Sequence, residues 1–479
     1  MNEPVLSAKV GWIILAVFSV LWIFLGWFWG RRGKTFDGHV LAGRNVGVAL
    51  ATATAMATWV TSNTTMAAPE VAYQFGIWGM VGYALGACGL MLFAPMAERI
   101  KHLMPNGYTS GDFVRTRYGT PAWVAFMVVS FFYGLGWLVS MGMAGGVLLQ
   151  ALTGIPYRVG MIVITAVCVG YTLLGGMHAV IGTDYIQSVL ILIGLVVAGV
   201  MGLSMVGVER MHMVITTERP GLLDLLMPAS IMFLFNNLLF GLGEIFHSNV
   251  WWSRALAFRK GVGFRAYFVA GLAWLPVPIA AGSVALLAPA MGLNVPALDM
   301  VGPLVVANVM GEAGAILIFI IVFSSLASSL DSLLAATSDL LVEDVYRRLV
   351  RPDATGPQLR RAARLLVLGL GALSIVLCWT KATTLARMIA FTGAFVASTI
   401  WPIAAGLYWK NSNPRAATLG MVLGTASGLA AYFVVGWYTA ALTGATVSMI
   451  CVIVGSKVWP VPFEWSRLAE LRAPEEAEA

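Results

Sequence analysis

The sequence predicts an all-α membrane protein of 13 transmembrane helices, ten of them forming a five-plus-five inverted repeat with two broken members. Three observations predict it. The 479 residues are 59% hydrophobic and only 11% charged, whereas a soluble domain needs about 25% charge to cover its surface. Apolar stretches of spanning length follow one another along the whole chain. Lysine and arginine alternate between dense and sparse connections, as the two sides of a membrane require.

The first span, 11–30, is followed at once by Arg31, Arg32 and Lys34. A cleaved signal peptide has a shorter apolar core with its basic residues in front, so this helix is permanent and its N-terminus lies outside. The other spans fall near 46–73, 77–104, 121–152, 158–177, 181–206, 227–256, 262–290, 310–346, 361–379, 384–409, 415–436 and 439–459. On this count the cytoplasmic segments hold 23 of the 29 Lys and Arg, and the outside segments hold 6. The expected location is the plasma (inner) membrane, with the C-terminal PEEAEA tail cytoplasmic. The net charge of +7 sits in short loops between spans and is no nucleic-acid signal. Cys88, Cys168, Cys378 and Cys451 sit singly in apolar runs, with neither metal spacing nor a disulfide framework.

Two spans carry interruptions. In the second, Thr61, Ser62, Asn63, Thr64 and Thr65 precede Pro69, a composition that frees backbone groups in mid-membrane. In the seventh, Asn236 and Asn237 precede Gly241, Gly243 and Glu244. These spans lie five helices apart, and broken helices at matching places of two halves point to the binding site of an inverted-repeat transporter. The repeats expected are 46–206 (core helices 1–5) and 227–409 (core helices 6–10). An extra N-terminal helix and loop (1–45) and two extra helices with a short tail (410–479) lie outside them.

In core helix 8, Ser324, Ser325, Ser328, Asp331, Ser332 and Asp339 share one stripe at helical spacing, with leucines on the other side. Hydroxyls and carboxylates are costly in hydrocarbon unless they face a partner. The partner expected is a sodium ion. The plain alternative is that the serines bond back to carbonyls one turn earlier or let helices pack closely.

The chain resembles the sodium:solute symporter family along nearly its whole length. The motifs are LAGRNVG at 41–47, YTLLGGMHAVIGTDYIQ at 171–187, SSLASSLDSLLAATSDLLVEDVYRR at 324–348 and WPIAAGLYWKNSNPRAATLGMVLG at 401–424. The resemblance implies the family's inverted-repeat, amino-acid:sodium-transporter-like fold. It also implies a shared sodium site made by the backbone of Ala57, Val60 and Ile321 with the hydroxyls of Ser324 and Ser325. Some relatives join an Asp at the position of Asp184 to a second sodium site one turn lower. That turn here offers Ala327 and Ser328, so one sodium per cycle is expected. Asp184 has a plain reading as well, as a carboxylate offsetting a helix dipole, and Asp331 either helps an ion toward the cytoplasm or pairs with a polar neighbour.

Contacts to solute carried over from sugar-binding relatives fall on Thr64, Tyr83, Glu244 and Thr392. Glu244 is unusual beside a helix break, where a carboxylate must bind something, be protonated or pair with a neighbour such as His247. The segments 104–119 and 248–261 resemble the urea and polyamine branch, in keeping with an N–H-rich solute. The implied function is sodium-coupled symport of a small polar solute, with a small molecule and membrane lipid as partners and no nucleic acid or obligate protein partner. A proton-coupled symporter, a transporter-like sensor and a passive channel remain alternatives. Enzyme readings find no support: His39, His102, His178, His212 and His247 show no zinc spacing, and no phosphate-binding GxxxxGK[ST] segment occurs.

Overall fold

The computed structural model describes residues 4–30 and 40–471. The basic run Arg31, Arg32 and Lys34, His39 and the PEEAEA tail lie outside the described residues, as do the side chains at 175, 176, 178 and 179. Apart from one isolated bridge, between Val46 and Phe258, the described residues are helical or irregular.

Helix α1 (Ala8–Gly30) is apolar apart from Lys9 and Ser19 and keeps Val17, Val20 and Phe24 exposed, as a lipid-facing helix does. A broken helix follows, α2 (Val48–Trp59) and α3 (Ser62–Ala84). Within α3 the chain turns sharply at Gly76, whose φ of 60° a side chain resists. Next come α4 (Ala87–Leu103), the short α5 (Ser110–Tyr118) and α6 (Thr120–Thr153).

Helical backbone continues as α7 from Tyr157 to Val206, and its two apolar arms, Tyr157–Leu174 and Val180–Val206, are each long enough to cross a membrane. Tyr157 bonds to the carbonyl of Cys378, and Thr172 shares a cavity with Ser338, Asp339 and Arg364. Asp184 then meets Ser328, and Gly194 faces Ile321. The chain descends and climbs back, reversing between Thr172 and Asp184, where the sequence places the junction of core helices 4 and 5.

The second broken helix is α8 (Pro228–His247) and α9 (Asn249–Ala257). Helices α10 (Gly263–Trp274) and α11 (Pro276–Ala285) form the next crossing. Helix α12 (Val301–Leu341) bends at Gly311 (φ 60°) and belongs to the most deeply buried of the long spans. It starts before the expected 310 because its first turns, up to the bend at Gly311, form a separate helical segment. Helices α13 (Gly356–Cys378), α14 (Leu385–Val396), α15 (Ile400–Tyr408), α16 (Pro414–Val434) and α17 (Ala440–Val458) complete the chain.

Twelve helices among the described residues are long and apolar enough to cross a membrane, against the 13 expected. The difference lies at the first break. Val48–Trp59 is too short to count alone, and Ser62–Leu103 counts once although it turns at Gly76.

Candidate ion and solute site

The break in the first core helix has a local cause. Thr61 is extended (φ −87°, ψ 168°) and caps α3. Its hydroxyl accepts from the Thr64 N–H (3.1 Å), and the Thr64 hydroxyl accepts from the Thr61 N–H (3.3 Å). In a continuous helix those two N–H groups would reach the carbonyls of Ala57 and Val60, four residues earlier. The reciprocal cap therefore releases these two oxygens. The intervening carbonyls are otherwise engaged: Thr58 accepts from Ser329 Oγ at 3.3 Å, and Trp59 accepts from Trp274 Nε1 at 2.7 Å.

The stripe on α12 packs against this break. Ser325 Oγ lies 3.2 Å from Thr65 Oγ1 and also donates to its own Val322 carbonyl at 2.9 Å. Ser324 is fully buried and its hydroxyl has no hydrogen-bond partner among the described residues. Ser325 thus partly follows the plain back-bonding alternative, while Ser324 does not.

One turn further along lies a closed polar cluster. Arg254, from α9, is fully buried. It donates to Thr54 (3.1 Å), Thr58 (2.6 Å), Ser332 (2.8 Å) and Asp184 (3.3 Å). Asp184 also accepts from Thr54 at 2.6 Å and from the hydroxyl of Ser328. Asp331 accepts from Ser332 at 3.2 Å through one oxygen, and its other oxygen has no partner among the described residues. Arg254 lies near the end of the span expected at 227–256 and is one of the 23 basic residues that the sequence assigns to the cytoplasmic side. The correction is that it pairs with Asp184 inside the bundle, where an arginine is stable only beside a carboxylate. Its isolation among apolar neighbours in VWWSRALAF was the available signal.

Two cavities flank the break. The first is walled by Trp59, Tyr83, Trp137, Phe240 and Trp274, with Thr61, Thr64 and Asn237 as polar members. The second contains Glu244, Tyr133, Trp251, Thr58 and Ser329. They share Trp59, Thr61 and Trp137. Thr64 and Tyr83 therefore sit together, Glu244 sits in the neighbouring cavity, and Thr392 lines neither. The Thr392 hydroxyl bonds to Ile389 in its own helix, and its methyl packs against Gly136.

The seventh span breaks at Ser248, which caps α9, and not at Asn236–Gly243 as expected. The two asparagines have other work. Asn236 accepts from the backbone N–H groups of Ala441 and Leu442, and Asn237 donates to the Gly82 carbonyl. Glu244 does not pair with His247, whose Nε2 lies 3.0 Å from Ser130 Oγ. It accepts instead from Tyr133 and, at 2.9 Å, from Trp251 Nε1.

Residues 39–424 match the sequence model of the sodium:solute symporter family. The chain is 29% identical to a urea–proton symporter of Oryza sativa subsp. japonica, over 91% of this chain, and spans 66% of that protein's length. It is 25% identical to an osmoregulated proline transporter of Bacillus subtilis (strain 168), over 94% of this chain and 95% of that one. Among solved structures it resembles the substrate-bound, outward-open state of a Na+-coupled sialic acid symporter. The TM-score is 0.80 at 19% identity, covering 95% of this chain and 99% of the other.

Proposed function

The chain belongs to the sodium:solute symporter family, and from that premise we propose that it is a secondary active transporter, carrying a small, polar, N–H-rich solute of urea type together with sodium. The observation that carries the reading is the reciprocal Thr61–Thr64 cap. It releases the Ala57 and Val60 carbonyls where α12 brings Ser324 and Ser325. Sodium is a hard cation, and released carbonyls with hydroxyls replace its water shell without burying a full negative charge. The Ile321 carbonyl completes the set.

Outside sodium holds the two halves of the broken helix in one geometry and so completes the first cavity, where Thr64 and Tyr83 meet the solute. The loaded bundle then rocks and opens inward. The moving units are the repeats 46–206 and 227–409, with the N-terminus outside and the C-terminus cytoplasmic. Asp184 is neutralised by Arg254, which favours one sodium per cycle over two. Asp331 and Ser328 lie next along the stripe, on the ion's way to the cytoplasm.

The test is a thermal-shift screen of the purified protein with urea, amines, amino acids, sugars and carboxylates, in sodium and in choline. One solute class is expected to stabilise only in sodium. Stabilisation indifferent to sodium would sink the coupling.

A proton in place of sodium is favoured by one observation, that Glu244 is buried with two neutral donors and pairs with no cation among the described residues. The rice relative is named a urea–proton symporter. Uptake that persists without sodium and collapses with the pH gradient would select that reading.

A further inference from the structure

The second cavity holds a carboxylate with unused bonding capacity. Glu244 is 3% exposed, and its two oxygens each accept one hydrogen bond, from Tyr133 and Trp251. An ionised carboxylate offers about four acceptor positions, so one remains on each oxygen. Arg254, the buried cation of the following helix α9, is engaged with Asp184. The same cavity is lined by two indoles, Trp59 (5% exposed) and Trp137 (4% exposed), whose N–H groups have no hydrogen-bond partner among the described residues. Burying such donors and a half-satisfied carboxylate is costly unless a ligand completes them.

The geometry points to the second cavity as a separate station for the solute, entered from the first cavity past Trp59 and Trp137. It is selective for a planar molecule with two parallel N–H groups and a carbonyl oxygen. The paired N–H groups bind the two free positions of Glu244 as a fork, the arrangement that makes arginine–carboxylate pairs strong and directional. The carbonyl oxygen accepts from an indole. Urea-type compounds carry both features, whereas sugars lack the fork and arginine carries it without the adjoining carbonyl oxygen. This inference rests on the transport reading above, since it takes the two cavities as successive positions of one cargo.

Infrared difference spectra of the full-length protein in sodium, recorded on adding urea or tetramethylurea, test it. The carboxylate band of Glu244 is identified by its loss in Glu244→Gln. Urea is expected to shift this band, and tetramethylurea, which has the carbonyl but no N–H, is expected to leave it in place. Trp251→Phe keeps the carboxylate and removes one donor. It should move the resting band and preserve the urea response, so the test survives if Glu244→Gln fails to fold. A band indifferent to urea, or one moved equally by both compounds, overturns the station. So does a band that responds only to pH or to sodium, since Glu244 would then carry the coupling ion. Urea uptake in parallel separates the two ideas. Sodium-driven uptake with a silent band removes the station and leaves symport standing. A responsive band without sodium-driven uptake does the reverse.

Discussion

Ser324 and Ser325 are neighbours on one turn with different surroundings. Ser325 already spends its proton on Val322, whereas Ser324 Oγ is buried without a partner. An ion ligand must present a lone pair. Donating to Val322 leaves those of Ser325 free, but its oxygen also lies 3.2 Å from the Thr65 hydroxyl. Ser324 has no such neighbour among the described residues and so stands to gain more from sodium. Ser324→Ala is accordingly expected to weaken sodium-dependent stabilisation more than Ser325→Ala, and the double variant should abolish it with the fold intact. Sodium titrations of melting temperature check this, and unchanged affinity in the double variant would defeat the assignment. Arg254 poses a different problem, because it and Asp184 are both fully buried. Removing one partner of a buried pair strands the other, at a cost of about 3–5 kcal/mol. Arg254→Met should therefore unfold at markedly lower temperature, and adding Asp184→Asn should recover part of the loss; an additive double variant would rule out direct pairing. The serine stripe was legible because helical spacing reports a shared face. Arg254 was not, because a charge flanked by apolar residues reads equally as the end of a span or as half of a buried pair.

The two breaks are built from side chains that cap helices, and this explains which of them the sequence revealed. At the first, the polar run and the cap coincide: Thr61 and Thr64 lie inside the run TSNTT and bond to each other locally. At the second, the conspicuous polar residues, Asn236 and Asn237, reach across to α17 and α3, and the cap is the inconspicuous Ser248. Composition marks where polar atoms sit in a span, but whether their partners are local or distant is a tertiary matter. The same scale separates two glycines with φ near 60°. A Cβ on Gly76 would lie 1.7 Å from the Leu222 carbonyl oxygen, while one on Gly311 meets nothing within 4 Å. Gly76→Ala combines backbone strain with a collision against main chain and should yield little monodisperse protein. Gly311→Ala carries the strain alone, about 1–3 kcal/mol, and should fold with a lowered melting temperature. Fluorescence-detected size-exclusion chromatography of the two variants checks the contrast, and equal yields would show that the turn at Gly76 is not required.

For the molecule as a whole, the argument is about charge. Asp184 and Arg254 cancel, so a cycle that carries one sodium and an uncharged solute moves one net positive charge inward. A potential of 100 mV, negative inside, then contributes about 2.3 kcal/mol. At about 1.4 kcal/mol per tenfold, that sustains roughly fifty-fold accumulation with no sodium gradient at all. A tenfold inward sodium gradient adds about another factor of ten. If a proton on Glu244 travelled as well, the voltage-driven factor would be squared. Proteoliposomes with equal sodium and equal pH on both sides, polarised by potassium and valinomycin, distinguish these cases through the plateau of labelled urea. Plateaus should rise by about one decade for every 60 mV if one charge crosses, and twice as steeply if two do. Uptake independent of voltage would mean that an inner charge returns with each cycle, and the single-ion symport proposed from the broken helix would then be wrong.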